Sequence, residues 1–187
     1  LPISSERPEG ERNTFLVRWQ LGLAAIYAEA EDPRWAANLN EEEAMLAARY
    51  APIELNGLPI WMESLVAAHS NAVDATLGME LSWELSKDVS AHSHSMLLQS
   101  ISYAPSSVAR IFLPRLRAWL DADGDQVDDE SDLAGTARRL RQVIDAMLKH
   151  GGEDVRAHLL GVARQRLQGS LPDELTFVWL RSEEHTV

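Results

Sequence analysis

Residues 58–85 read LPIWMESLVAAHSNAVDATLGMELSWEL. Apolar side chains recur there at helical spacing, first Trp61, Met62, Leu65 and Val66, then Val73, Leu77, Leu81 and Leu85. The polar pair Ser70-Asn71 divides the two series. The stretch therefore predicts a helix, a short break and a second helix, which together make one helical hairpin.

The second-helix series returns twice downstream. Val108, Phe112, Leu116 and Leu120 advance by four residues, as do Val155, Leu159, Ala163 and Leu167. The first-helix pairs Met62-Val66, Leu97-Ile101 and Ile144-Leu148 keep the same register. Val73 and Val108 lie 35 residues apart, Val108 and Val155 47 apart. The difference of 12 equals the length of DADGDQVDDESD, residues 121–132, so a unit of about 35 residues with one acidic loop insertion accounts for both intervals.

Working outward gives a full division of the chain. Residues 1–10, polar with two prolines and a glycine, are expected to be a frayed lead-in, and 11–55 a degenerate first unit. Its helix at 13–30 is stopped by Asp32-Pro33, Trp35 folds back on the core, and Asn40 caps a helix that begins with Glu41, Glu42 and Glu43. Asn56-Gly57 marks a turn. Regular units follow at 58–87, 94–120 and 133–168, with the loop at 121–132 and a terminal helix at 171–187 opened by Leu171-Pro172-Asp173. One side of each hairpin is too apolar to face water, and a stacked neighbour would cover it. The fold class expected is all-α: stacked antiparallel helical hairpins forming a short right-handed α-solenoid of about four units.

The spacing of 62–66, 97–101 and 144–148 with the three four-step ladders resembles HEAT-like repeats, the paired-helix units of armadillo-type α-solenoids. The units are slightly short and lack a regular Asp and Arg at the turn. What the resemblance implies is a non-catalytic scaffold or recognition module, bound to a protein partner or to other domains of its parent chain. Similar arrays serve as sensor segments of large bacterial signalling NTPases. The chain starts on Leu1 rather than Met and its last helix lacks a pairing helix, so a piece of a larger chain is expected.

Composition narrows the partners. The 187 residues carry a net charge of −12, which argues against a nucleic-acid backbone or an anionic lipid surface. Residues 1–93 hold 6 basic and 15 acidic side chains, residues 94–187 hold 11 and 14. That asymmetry suits either solvated helix faces or end-to-end self-association. The longest apolar run, residues 21–28, is far short of a bilayer span. Cysteine is absent, which excludes a disulfide framework and suits a cytoplasmic setting.

Candidate sites are few. Asp121, Asp123 and Asp125 alternate as the first ligands of an EF-hand loop do, with Asp132 at the twelfth position. Gln126 stands where that loop needs glycine, Asp128 where it takes an aliphatic residue, and Asp132 is shorter than the usual bidentate Glu. A calcium-responsive module and a solvated acidic loop both remain open. His92 and His94 could chelate a metal only on an extended segment, and Ser90 to Ser95 reads more simply as a turn with a serine cap. Trp83 and Trp119 sit beside the apolar ladders, and Arg117 and Arg164 share one repeat position, nine after the anchoring valine. These four are the candidate protein-binding residues, as hot spots of aromatic and arginine character. No Walker loop, dinucleotide glycine fingerprint, GxSxG or HExxH is present. No cofactor is expected. An enzyme or small-molecule binder with a pocket on the concave face stays open as an alternative.

Overall fold

The computed structural model describes residues 1–12, 14, 16–87, 96–122 and 132–184. Every regular element among them is helical: α1 (Val17–Glu29), α2 (Trp35–Asn38), α3 (Glu41–Ala48), α4 (Met62–Val73), α5 (Met79–Leu85), α6 (Met96–Tyr103), α7 (Ser106–Ala109), α8 (Leu113–Ala122), α9 (Leu133–His150), α10 (Glu153–Leu167) and α11 (Asp173–Glu184). The fold is all-α, and no helix among these residues is long and apolar enough to cross a membrane.

Local chemistry sets the boundaries. α1 ends at Glu29, and across Pro33, in the turn that leads to α2, Asp32 accepts the Arg34 amide at 2.9 Å. Asn40 and Glu43 form a capping box at the start of α3: Asn40 Oδ1 accepts the Glu43 amide at 3.0 Å and the Glu43 carboxylate accepts the Asn40 amide at 2.9 Å. Gly57 turns at φ 111°, in the left-handed region that glycine enters without a Cβ penalty.

The expected ladders are the core. Val73, Leu77, Leu81 and Leu85 are buried, as are Val108, Phe112, Leu116 and Leu120; in the third series Leu159 and Ala163 are fully enclosed and Leu167 is half-buried. Removing one such leucine from water contributes about 1.5–3 kcal/mol, so the ladders supply much of the drive to fold. Helices α2 and α3 pack on α4, α4 meets α7, α5 meets α6 and α8, and α9 lies against α6, α7 and α8. At the far end α11 closes on both α9 and α10, burying Leu175, Val178 and Trp179.

Three features differ from the sequence expectation. The break between the helices of residues 58–85 falls at His69, whose φ of −138° and ψ of 48° leave the helical region; its Nε2 lies 2.8 Å from the Ala36 carbonyl of α2. Beyond it, Asp74–Gly78 is a π turn, while Arg110–Phe112, ahead of α8, is a tighter 3₁₀ segment.

The polar lead-in is the third difference. It docks. Glu80 is buried on α5, and its carboxylate accepts the Ser5 amide at 3.1 and 3.2 Å; Ile3, two residues before Ser5, is buried as well. Glu6 makes a bidentate pair with Arg49 at 2.7 and 2.8 Å, and Arg49 also donates to the Leu1 carbonyl. A carboxylate removed from water on α5 requires donors, and the lead-in supplies them.

Candidate functional site

Trp83 and Trp119 are both engaged by the chain itself. The Trp83 ring has Lys87 Nζ 4.2 Å from its centroid and the Arg12 guanidinium at 5.2 Å, a double cation–π contact. Trp119 is half-buried, and its Nε1–H donates to the Leu85 carbonyl at 3.2 Å, satisfying the C-terminal end of α5. Buried Arg139 donates to the same carbonyl at 3.0 Å and to Lys87 O at 2.7 Å.

Arg117 joins a polar cluster between α8 and α10. Its Nη2 donates to His158 Nδ1 at 3.1 Å, while Asp121 Oδ1 lies 2.8 Å from His158 Nε2 and Oδ2 lies 3.9 Å from Arg117 Nε. The structure thus brings Arg117 and Asp121 together around a histidine that the sequence reading did not single out. Arg164 is exposed on α10. Asp132 immediately precedes α9. Asp123 and Asp125 lie outside the described residues, as do His92, His94 and the segment Ser90 to Ser95. Among the described residues no group of three or more His, Asp or Glu side chains is placed to hold a metal ion.

The start of α6 has its own anion. Glu84, half-buried on α5, accepts the Leu97 amide at 2.9 Å and the Leu98 amide at 3.0 Å, capping α6 from a distance. Burial pushes the Glu84 carboxyl above its ordinary value, against the pull of those two amides. His150, buried at the end of α9, stands 3.0 Å from Ser106 Oγ and 3.1 Å from the Ser102 carbonyl, pinning α9 to α6 and α7.

A different region carries unsatisfied surface. Helix α1 is apolar on nearly every side, and Val17, Leu21, Ala24, Ala25 and Ala28 all face outward. A helix of that character is usually enclosed. Near its C-terminal end opens a cleft of about 550 Å³, within the range of about 300–1,000 Å³ for small-molecule sites. Tyr27, Trp35 and Trp61 line it; Trp61 meets Trp35 at 5.8 Å and Tyr27 at 6.5 Å between centroids, both near perpendicular. Ile60, 83% exposed, forms the opposite lip.

Two of the three rings have their polar groups matched. Tyr27 donates to Glu54 at 2.8 Å, and burial together with that carboxylate pushes its phenol up to about 12. Trp35 Nε1–H donates to Glu29 at 3.2 Å. Trp61 Nε1–H is buried with no acceptor among the described residues. Glu31 and Asp32 stand on the rim, and no basic residue lines the cleft.

The sequence reading placed Trp35 and Trp61 in the core, did not single out Tyr27, and assigned the cleft no role. The available signal was the run at 21–28, which has no polar face and so must turn some apolar side chains outward if α1 lies at the surface. Compared with family models, with curated proteins and with solved structures, the chain matches none.

Proposed function

We propose that this chain is a non-catalytic helical recognition module: antiparallel hairpins stacked as a short right-handed α-solenoid, which docks an amphipathic helix of a partner protein or of another domain of its parent chain. The observation that carries it is the outward apolar stripe of α1, Val17, Leu21, Ala24 and Ala28, at the spacing of one helix face. The stacked arrangement draws support from packing that joins each unit chiefly to the next, and from ladders buried at every rung except Leu167.

The docking face we propose is α1 rather than the surface of second helices. Trp83 and Trp119 spend their exposed groups on Arg12, Lys87 and Leu85. Charge favours a partner helix whose end beside Glu29, Glu31 and Asp32 is basic. The stripe's length, residues 17–28 at 1.5 Å per residue, suits about three turns of a partner helix.

The test is photo-crosslinking from position 17, 71% exposed on the same stripe, in source cells, with Leu21→Asp and Leu46→Asp as paired variants. Leu46 is also exposed, on α3. One discrete partner lost with Leu21→Asp and kept with Leu46→Asp supports docking on α1. Partners lost equally with both, or crosslinks only to a second copy of this chain, overturn it.

A further inference from the structure

We propose that the cleft at the C-terminal end of α1 is a binding site for a compact organic cation, an ammonium group carried on an apolar alkyl or aryl body. This goes beyond docking on α1, because Val17 and Leu21 do not line the cleft.

Three observations fix the ligand's chemistry. The walls and floor are apolar and aromatic: Ala24 and Ala28 of α1, Ile60 opposite, and Tyr27, Trp35 and Trp61 between them. A ligand must therefore bring an apolar body to gain from entering. The charge around the opening is of one sign. Glu31 and Asp32 are on the rim with no basic lining residue, and the C-terminal end of α1, which carries negative partial charge, closes the same side. Arg34, next to Pro33 in sequence, is 81% exposed and points its guanidinium to within 3.6 Å of Asp32.

The two rim carboxylates are not equivalent. Asp32 already accepts the Arg34 amide at 2.9 Å and faces its guanidinium. Glu31 has no hydrogen bond or ion pair among the described residues, so its carboxylate is available to an incoming cation. An ammonium beside Glu31 with its apolar body against the aromatic lining satisfies both the charge and the apolar surface. An anion of the same shape would meet two carboxylates and a helix C-terminus.

The experiment uses ¹⁵N-labelled full chain and follows the indole signals of Trp35 and Trp61 at neutral pH. The probes are phenethylammonium, the neutral phenethyl alcohol and the anionic 3-phenylpropionate. The ammonium is expected to shift both signals saturably at millimolar concentration. The alcohol should bind about threefold to tenfold more weakly, and the anion should not bind. Glu31→Gln should bring ammonium and alcohol to equal affinity. Ala28→Trp, which fills the cleft from an exposed position, should abolish both; Ala24→Phe repeats that test one turn earlier. Leu21→Asp should leave ammonium binding intact, which separates this site from the docking stripe. Equal affinity for ammonium and alcohol in the unmodified chain overturns the proposal. So does a saturable shift that survives both filling variants, or no shift at all.

Discussion

Helices α1 and α5 are both short, apolar and edged with carboxylates, yet their surroundings differ. Around α5 the chain answers its own groups: Glu80 takes the Ser5 amide, Glu84 the amides of Leu97 and Leu98, Trp83 lies between two cations, and the terminal carbonyl of Leu85 receives both Trp119 and Arg139. Around α1, Leu21 and Ile60 face water, Glu31 has no partner among the described residues and Trp61 Nε1 has no acceptor among them. Residue type therefore does not tell which surface is left for another molecule. A tryptophan or carboxylate already matched within the fold has little more to gain from a ligand.

If that contrast is right, α5 should be sensitive and α1 tolerant. The largest effect is expected from Arg139→Met, which strips the Leu85 and Lys87 carbonyls of a charged donor within the core. Urea unfolding should show a loss of about 2–4 kcal/mol. Glu80→Ala comes next, at about 1–2 kcal/mol, because it leaves the Ser5 amide without its acceptor. Hydrogen exchange should accelerate over residues 1–7 in that variant and change little over α9.

A pH series sharpens the comparison within the α5 side. Glu84 has a raised carboxyl, so the folded chain holds its proton more tightly than the unfolded chain does. Its contribution is fully present below 4.5 and is lost as pH rises through the raised value, so Glu84→Gln should remove that decline from the melting-temperature profile. Glu6, held low chiefly by its hydrogen bond with Arg49, runs the other way. Its contribution is present above 4.5 and fades as pH falls below, and Arg49→Met should flatten that acid limb. The smallest effects belong to α1: Leu21→Asp and Ile60→Ser should each stay within about 0.5 kcal/mol of the parent. A loss as large as that of Glu80→Ala in either would mean that α1 is a structural face after all.

How much of this was legible in the sequence depended on the range of the interaction. The ladders from Val73, Val108 and Val155 were readable because burial imposes a helical period on neighbouring residues. The Asn40 cap and the Gly57 turn were readable for the same local reason. The docked lead-in was not, since Ser5 meets Glu80 across 75 positions and nothing near Ser5 announces a buried carboxylate. The cleft was hidden differently. Tyr27, Trp35 and Trp61 do pack against one another, and the space beside them is bounded by α1, the segment 30–36 and Ile60, which are distant in sequence from Trp61 or from each other.

The three ladders also share a step without sharing a winding. A row that advances by four residues drifts about 40° per step around an ideal α-helix. The π turn at Asp74–Gly78 underwinds the first row, the 3₁₀ segment at Arg110–Phe112 overwinds the second by about 20° for each of its residues, and α10 is regular throughout. Arg117 follows the overwound stretch and Arg164 does not, so the same rung number corresponds to two different compass headings. The three ladders therefore offer no common stride from one to the next.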